Sequence, residues 1–166
     1  MIKSILAIAI MFIAVVAAKA QSTDSTQHSP VRTLTYAQYQ AYLKGEAAND
    51  MALVAEINHY PMPDKVLGLK KELDLSPIQV KKITDIYTYM HKRRVQTGGS
   101  IIKNERTLDS LFRYHKMDDG SLIFYTNRHG LYQGELKNAI LQACFATEKE
   151  LTPQQIARFE TLQKAN

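Results

Sequence analysis

Leu75-Ser76-Pro77-Ile78-Gln79 decides how this chain is read. A serine hydroxyl at a helix N-cap accepts from the amide three residues on. Proline at the first helical position has no amide to leave unpaired, and glutamine at the third reaches back to the N-cap amide. The pentad opens a helix. Leu151-Thr152-Pro153-Gln154-Gln155 repeats the device, with Thr152 as cap and Gln155 at the third position. Taken alone, each states only that a helix begins there.

Between the two boxes run two long apolar stripes. Val80, Ile83, Tyr87 and Met90 recur at spacings of three and four, and Ile101, Leu108, Leu111 and Phe112 resume the pattern. The polar gap between them holds Gly98-Gly99, expected to bend or loosen the helix. Met117-Asp118-Asp119-Gly120 signals a turn, with Asp119 or Ser121 as the cap of the second long helix. Leu122, Tyr125, His129, Tyr132, Leu136, Ala139, Ala143 and Ala146 then form the second seam. No stretch alternates with period two, so strands are not expected. Two helices of roughly 30–38 residues would each span about 45–57 Å at 1.5 Å per residue. That predicts a long antiparallel helical hairpin with one apolar flank open, which a second copy would cover in a homodimer.

Short helices flank the hairpin. One is expected from Thr35 to the stop at Gly45, with Tyr36, Tyr39 and Leu43 on one face. A second covers Asp50 to Asn58, and a third covers Asp64 to Leu73 with Val66, Leu69 and Leu73 together. Between the last two, Tyr60-Pro61-Met62-Pro63 enforces an extended turn. Residues 21–34 are polar and read as a flexible leader. Residues 1–20 read as a cleavable secretory signal: Lys3, an apolar run from Ile5 to Ala18, then Ala18-Lys19-Ala20. That leaves residues 35–166 as a single all-helical domain.

Composition narrows the function. The chain has 166 residues, 45% apolar and 22% charged, which excludes a low-complexity or highly charged disordered chain. Its formal charge of +5 falls to +3 once Lys3 and Lys19 leave with the signal, too small a surplus to argue for nucleic acid. One cysteine, Cys144, excludes an intrachain disulfide framework. It reads first as a small buried apolar residue, and second as an intersubunit crosslink.

The two boxes, each opening a helix in an exported all-helical chain, resemble the Spy/CpxP group of periplasmic LTxxQ-motif proteins. Residues 51–63, followed by Val66-Leu67, are similar to a subgroup with an "AELNxYPxP…VL" entry to the first box. Glu105-Arg106-Thr107-Leu108-Asp109-Ser110-Leu111-Phe112 is similar to its "ExxLDxLF" stretch. The resemblance covers residues 36–163 and implies a cradle-shaped dimer in the periplasm. It further implies an ATP-independent chaperone for unfolded or misfolded envelope proteins, or a metal-binding sensor or envelope-stress regulator with a membrane-bound stress sensor as partner. The subgroup's histidine-bearing "LRxxHLxxH" stretch corresponds here to Leu136-Lys137-Asn138-Ala139-Ile140-Leu141-Gln142-Ala143-Cys144, without histidine. That departure weakens the metal reading.

The boxes are therefore read as capping motifs: Leu75, Ser76 and Gln79; Leu151, Thr152 and Gln155. The candidate client-binding residues are Lys92, Arg93 and Arg94, whose charge would steer acidic unfolded segments, with Tyr87 and Tyr89 for apolar contact. The plainer reading of the basic run is a solvated helix face. No cofactor or metal is expected. The alternative is a divalent ion held across helices or subunits by His129, His59, Glu56 and Glu105. Arg106 and Asp109 are expected to form a surface pair, and Glu105 and Asp109 to face water. No nucleophile elbow, phosphate loop or zinc-deaminase pattern is present, so an enzyme is not expected.

Overall fold

A computed structural model describes residues 28–46 and 51–164. The expected signal (1–20), the expected leader up to Gln27, the expected start of the second helix at Asp50 and residues 165–166 of the expected domain lie outside the described residues. Among those described there is no strand, only α1 (Tyr36–Lys44), α2 (Leu53–Ile57), α3 (Pro63–Gly68), α4 (Pro77–Arg113), α5 (Asp119–Lys149) and α6 (Pro153–Lys164). The chain is all-helical, and α4 and α5 pack along one another as the expected long pair. With 37 and 31 residues, they extend for about 55 and 46 Å at 1.5 Å per residue.

The base of the hairpin is where the two boxes meet. Ser76 Oγ accepts from the Gln79 amide at 3.3 Å, and Gln79 Oε1 accepts from the Ser76 amide at 3.0 Å. Thr152 and Gln155 do the same at 3.2 and 2.9 Å. The two glutamines then exchange amides, Gln79 Nε2 donating to Gln155 Oε1 at 2.8 Å and Gln155 Nε2 to Gln79 Oε1 at 3.3 Å. Gln79 Nε2 also donates to the Glu150 carbonyl, and Gln155 Nε2 to that of Leu73. The start of α4 is thus clasped to the start of α6. Beneath the clasp Leu75 and Leu151 enter a core with Val66, Leu73, Ile83 and Phe159.

Further along the pair, Met90, Ile140, Ala143 and Cys144 pack with Ala52 and Ala55 at α2. Ile101, Ile102 and Leu136 continue the buried line. Toward the tip, buried Asn104 donates to the Tyr125 carbonyl at 3.1 Å. The second seam is shifted from the expected one: Ile140, Cys144 and Thr147 are buried, Leu122 is exposed, and Ala139 and Ala146 face an open groove.

Four further expectations are corrected. Gly98-Gly99 does not interrupt α4, which runs unbroken through both. Gly98 is instead where α1 crosses, so close that a Cβ there would sit 2.2 Å from the Tyr42 carbonyl oxygen. The cap of α5 is Asp118, whose carboxylate accepts from the Ser121 amide at 2.7 Å. That interaction holds its pKa below the usual range. The described end of the leader is not free: Val31 is 2% exposed, Thr33 donates to Glu105 and Arg32 lies 3.7 Å from Asp109. Finally, Leu34-Thr35-Tyr36-Ala37-Gln38 is a third box, not expected from the sequence. Thr35 and Gln38 form the reciprocal cap of α1.

Candidate functional site

The hairpin is covered unevenly. α1 lies over Arg94, Val95 and Gly98 of α4, while the α2–α3 segment meets Leu141 and Cys144 of α5. The other flank is open. There α4 and α5 enclose a groove of about 570 Å³, walled by Ile86, Tyr89 and Arg93 on α4 and by Ala139, Gln142 and Ala146 on α5. Small side chains on one helix and an aromatic on the other make a trough rather than a closed pocket. Asp85, Arg93 and Glu135 put charge of both signs along it.

The five candidate client-binding residues do not form one patch. Successive residues on a helix point about 100° apart, so the run from Lys92 to Arg94 fans around α4. Lys92 faces solvent. Arg93 lines the groove, beside Tyr89, which is 68% exposed. Arg94 lies half-buried beneath Gly45, its Nε without a hydrogen-bond partner. Desolvation lowers its pKa, opposed by the carboxylate of Asp64, by Tyr87 and by Glu46. Tyr87 stacks on His91 at 6.1 Å. Only Tyr89 and Arg93 of the five share the groove.

The alternative metal set is divided as well. His129 Nδ1 lies 3.0 Å from Glu105 Oε1, Glu105 also accepts from Thr33, and Gln133 donates to Tyr42 at 3.0 Å. These contacts tie α1 and the chain before it to both long helices. Glu56 is paired with Lys65 at 3.0 Å, and His59 is an exposed residue with φ of 60°. Both belong to the α2 region at the level of Met90, about 20 Å along α4 from Glu105. Among the described residues no three His, Cys, Asp or Glu side chains converge on a point that could hold an ion.

Two surface expectations change with the arm formed by residues 28–46. The side chains of Glu105 and Asp109 are only 14% and 11% exposed, because the arm covers their flank of α4. Asp109 pairs with Arg113 and Arg32 rather than with Arg106.

Exposed apolar side chains also gather at the tip of the hairpin, among them Phe112, Tyr114, Ile123, Phe124 and Leu131. Arg128 lies over the Phe124 ring at 5.1 Å and Arg113 over Tyr114 at 5.9 Å. The groove residues Ile86, Ala139, Gln142 and Ala146 were not singled out as binding residues from the sequence. The alanines carried a signal, but as members of the packed seam. No described helix is long and apolar enough to cross a membrane. No protein-family model, curated protein or solved structure matches the chain.

Proposed function

We propose that this protein is a periplasmic, ATP-independent chaperone-like homodimer that binds unfolded or aggregation-prone envelope polypeptides. The observation that carries this reading is the open trough between α4 and α5. It offers apolar area from Ile86, Tyr89 and Ala139, with a cation at Arg93 and no enclosed shape to select one ligand. A shallow, mixed surface of this kind suits segments without fixed structure, which bind through many small apolar contacts. Arg93 adds attraction for acidic clients that acts before contact. The resemblance in the two boxes and in residues 51–67 and 105–112 supports the same reading, as does the export signal.

The test is suppression of aggregation of a reduced, denatured client by the purified protein. Tyr89→Ser combined with Ala139→Glu should abolish most of the effect while leaving the helical circular dichroism unchanged. Full suppression by that double variant would overturn the assignment of the groove. Stopped-flow association of an acidic unfolded client then addresses charge. Arg93→Gln should slow it at 0.1 M salt and not at 1 M, where the screening length has shrunk from about 10 to about 3 Å. Lys92→Gln should change little. Stoichiometric zinc, copper or nickel in the purified protein, with no suppression of aggregation, would favour the metal-binding sensor or envelope-stress regulator instead.

A further inference from the structure

Of the six methionines, Met51, Met62 and Met90 gather in one cluster with the chain's single cysteine. Cys144 on α5 and Met90 on α4 are 0% and 1% exposed. Met62, in the extended turn before α3, and Met51, just before α2, pack against them from the half-exposed side. The Cys144 thiol donates to the Met62 thioether at 3.1 Å, so the two sulfurs already point at one another. Ala52, Ala55, Ile140 and Ala143 supply a dry apolar surround. Burial pushes the free thiol up to about 11, and the nearby carboxylates of Asp64 and Glu56 add to that. Lys65, the ion-pair partner of Glu56, opposes them.

Methionine is a common filler of irregular cores, which accounts for any one of these side chains singly. Four sulfur-bearing side chains in one cluster, with the Cys144 and Met62 sulfurs in direct contact, have a shared chemistry as well. Thiolate and thioether are soft donors that select copper(I) over hard or borderline ions. We propose that Cys144 and Met62, joined by Met90 or Met51, form a binding site for a soft monovalent cation, copper(I). On binding, the thiol proton passes to water as the sulfur–copper bond forms. The metal remains copper(I), and no electron is transferred. Half-buried Met62 is the side of entry. The site stands apart from the α4–α5 groove, so it neither requires nor excludes polypeptide binding.

The experiment is anaerobic titration of the purified protein with copper(I), in competition with a chromogenic copper(I) chelator. One copper per chain should be retained, with thiolate-to-copper charge-transfer absorption in the near ultraviolet and an all-sulfur shell by X-ray absorption. Cys144→Ala should abolish retention. Met62→Leu should weaken it by at least the roughly 10–100-fold that loss of even an outer-sphere partner costs. Leucine keeps methionine's volume, so this variant decides the matter if Cys144→Ala fails to fold. Met117→Leu, near the hairpin turn, should bind like the unaltered protein. Absence of copper retention, retention unchanged in both cluster variants, or a nitrogen-containing shell would overturn the proposal.

Discussion

Gln79 and Gln155 each use both ends of a side-chain amide. The oxygen caps the residue's own helix, and the nitrogen reaches the other box and a carbonyl beyond it. Glutamate serves equally well in an isolated capping box, but it has no N–H to give. Gln79→Glu should therefore keep the cap of α4 and still destabilise the fold by about 1–3 kcal/mol, the loss of two hydrogen bonds. Gln38→Glu should be nearly neutral, because Gln38 uses only its oxygen, toward Thr35. Equal effects on the denaturation midpoint in the two variants would refute this account. Cys144 invites a second check. A fully buried thiol with a raised pKa is a poor nucleophile. It should resist alkylation at pH 8 in the native protein and react readily in denaturant; rapid native modification would revive the crosslinking role. The caps were legible in the sequence because a capping box is local. The pairing of Gln79 with Gln155 was not, since it depends on tertiary closure. The box at Leu34–Gln38 had the same local signal, but the polar residues before it drew the domain boundary through its first position.

At the scale of elements, identical neighbours can have opposite roles. Gly98 and Gly99 look alike in sequence, and both sit in α4. A Cβ at Gly98 collides with the α1 backbone, whereas at Gly99 it meets open space. Gly98→Ala should cost about 1–3 kcal/mol through overpacking and loosen α1, visible as faster amide exchange over 36–44. Gly99→Ala should instead stabilise by about 0.5–1 kcal/mol, through helix propensity alone. Matching shifts in melting temperature would contradict the crossing. The periodicity of three and four located both long helices and, on α4, buried Ile83, Met90 and Ile101, but it also placed exposed Tyr87 and Phe112 in the stripe. It misplaced the α5 seam, because alanine fits a packed face and an open trough alike. The basic run misled for the opposite reason: adjacency in sequence is dispersal around a helix.

On the scale of the whole molecule, one flank of a thin hairpin is covered by α1 to α3 and the other is left to solvent, along with an apolar tip. The proposed homodimer should appear as a dimer in sedimentation at micromolar concentration. Because the groove is assigned to clients, Tyr89→Ser with Ala139→Glu should leave that dimer intact; dissociation would place the second copy in the groove instead. A stable, soluble monomer at tens of micromolar would remove the dimer from the proposal.

The clasp at the base also bears on the order of events in time. At the tip, α4 and α5 are joined by the short turn 114–118, whereas Gln79 and Gln155 are 76 residues apart. Closing the longer loop first would cost about 2 kcal/mol more chain entropy than starting at the turn. Folding then zips from tip to base, and the glutamines join after the barrier has been crossed. A variant there shifts only the step it takes part in. In Gln79→Glu the refolding limb of the chevron should overlie that of the unaltered protein while the unfolding limb rises. A slowed refolding limb would place the base in the nucleus instead.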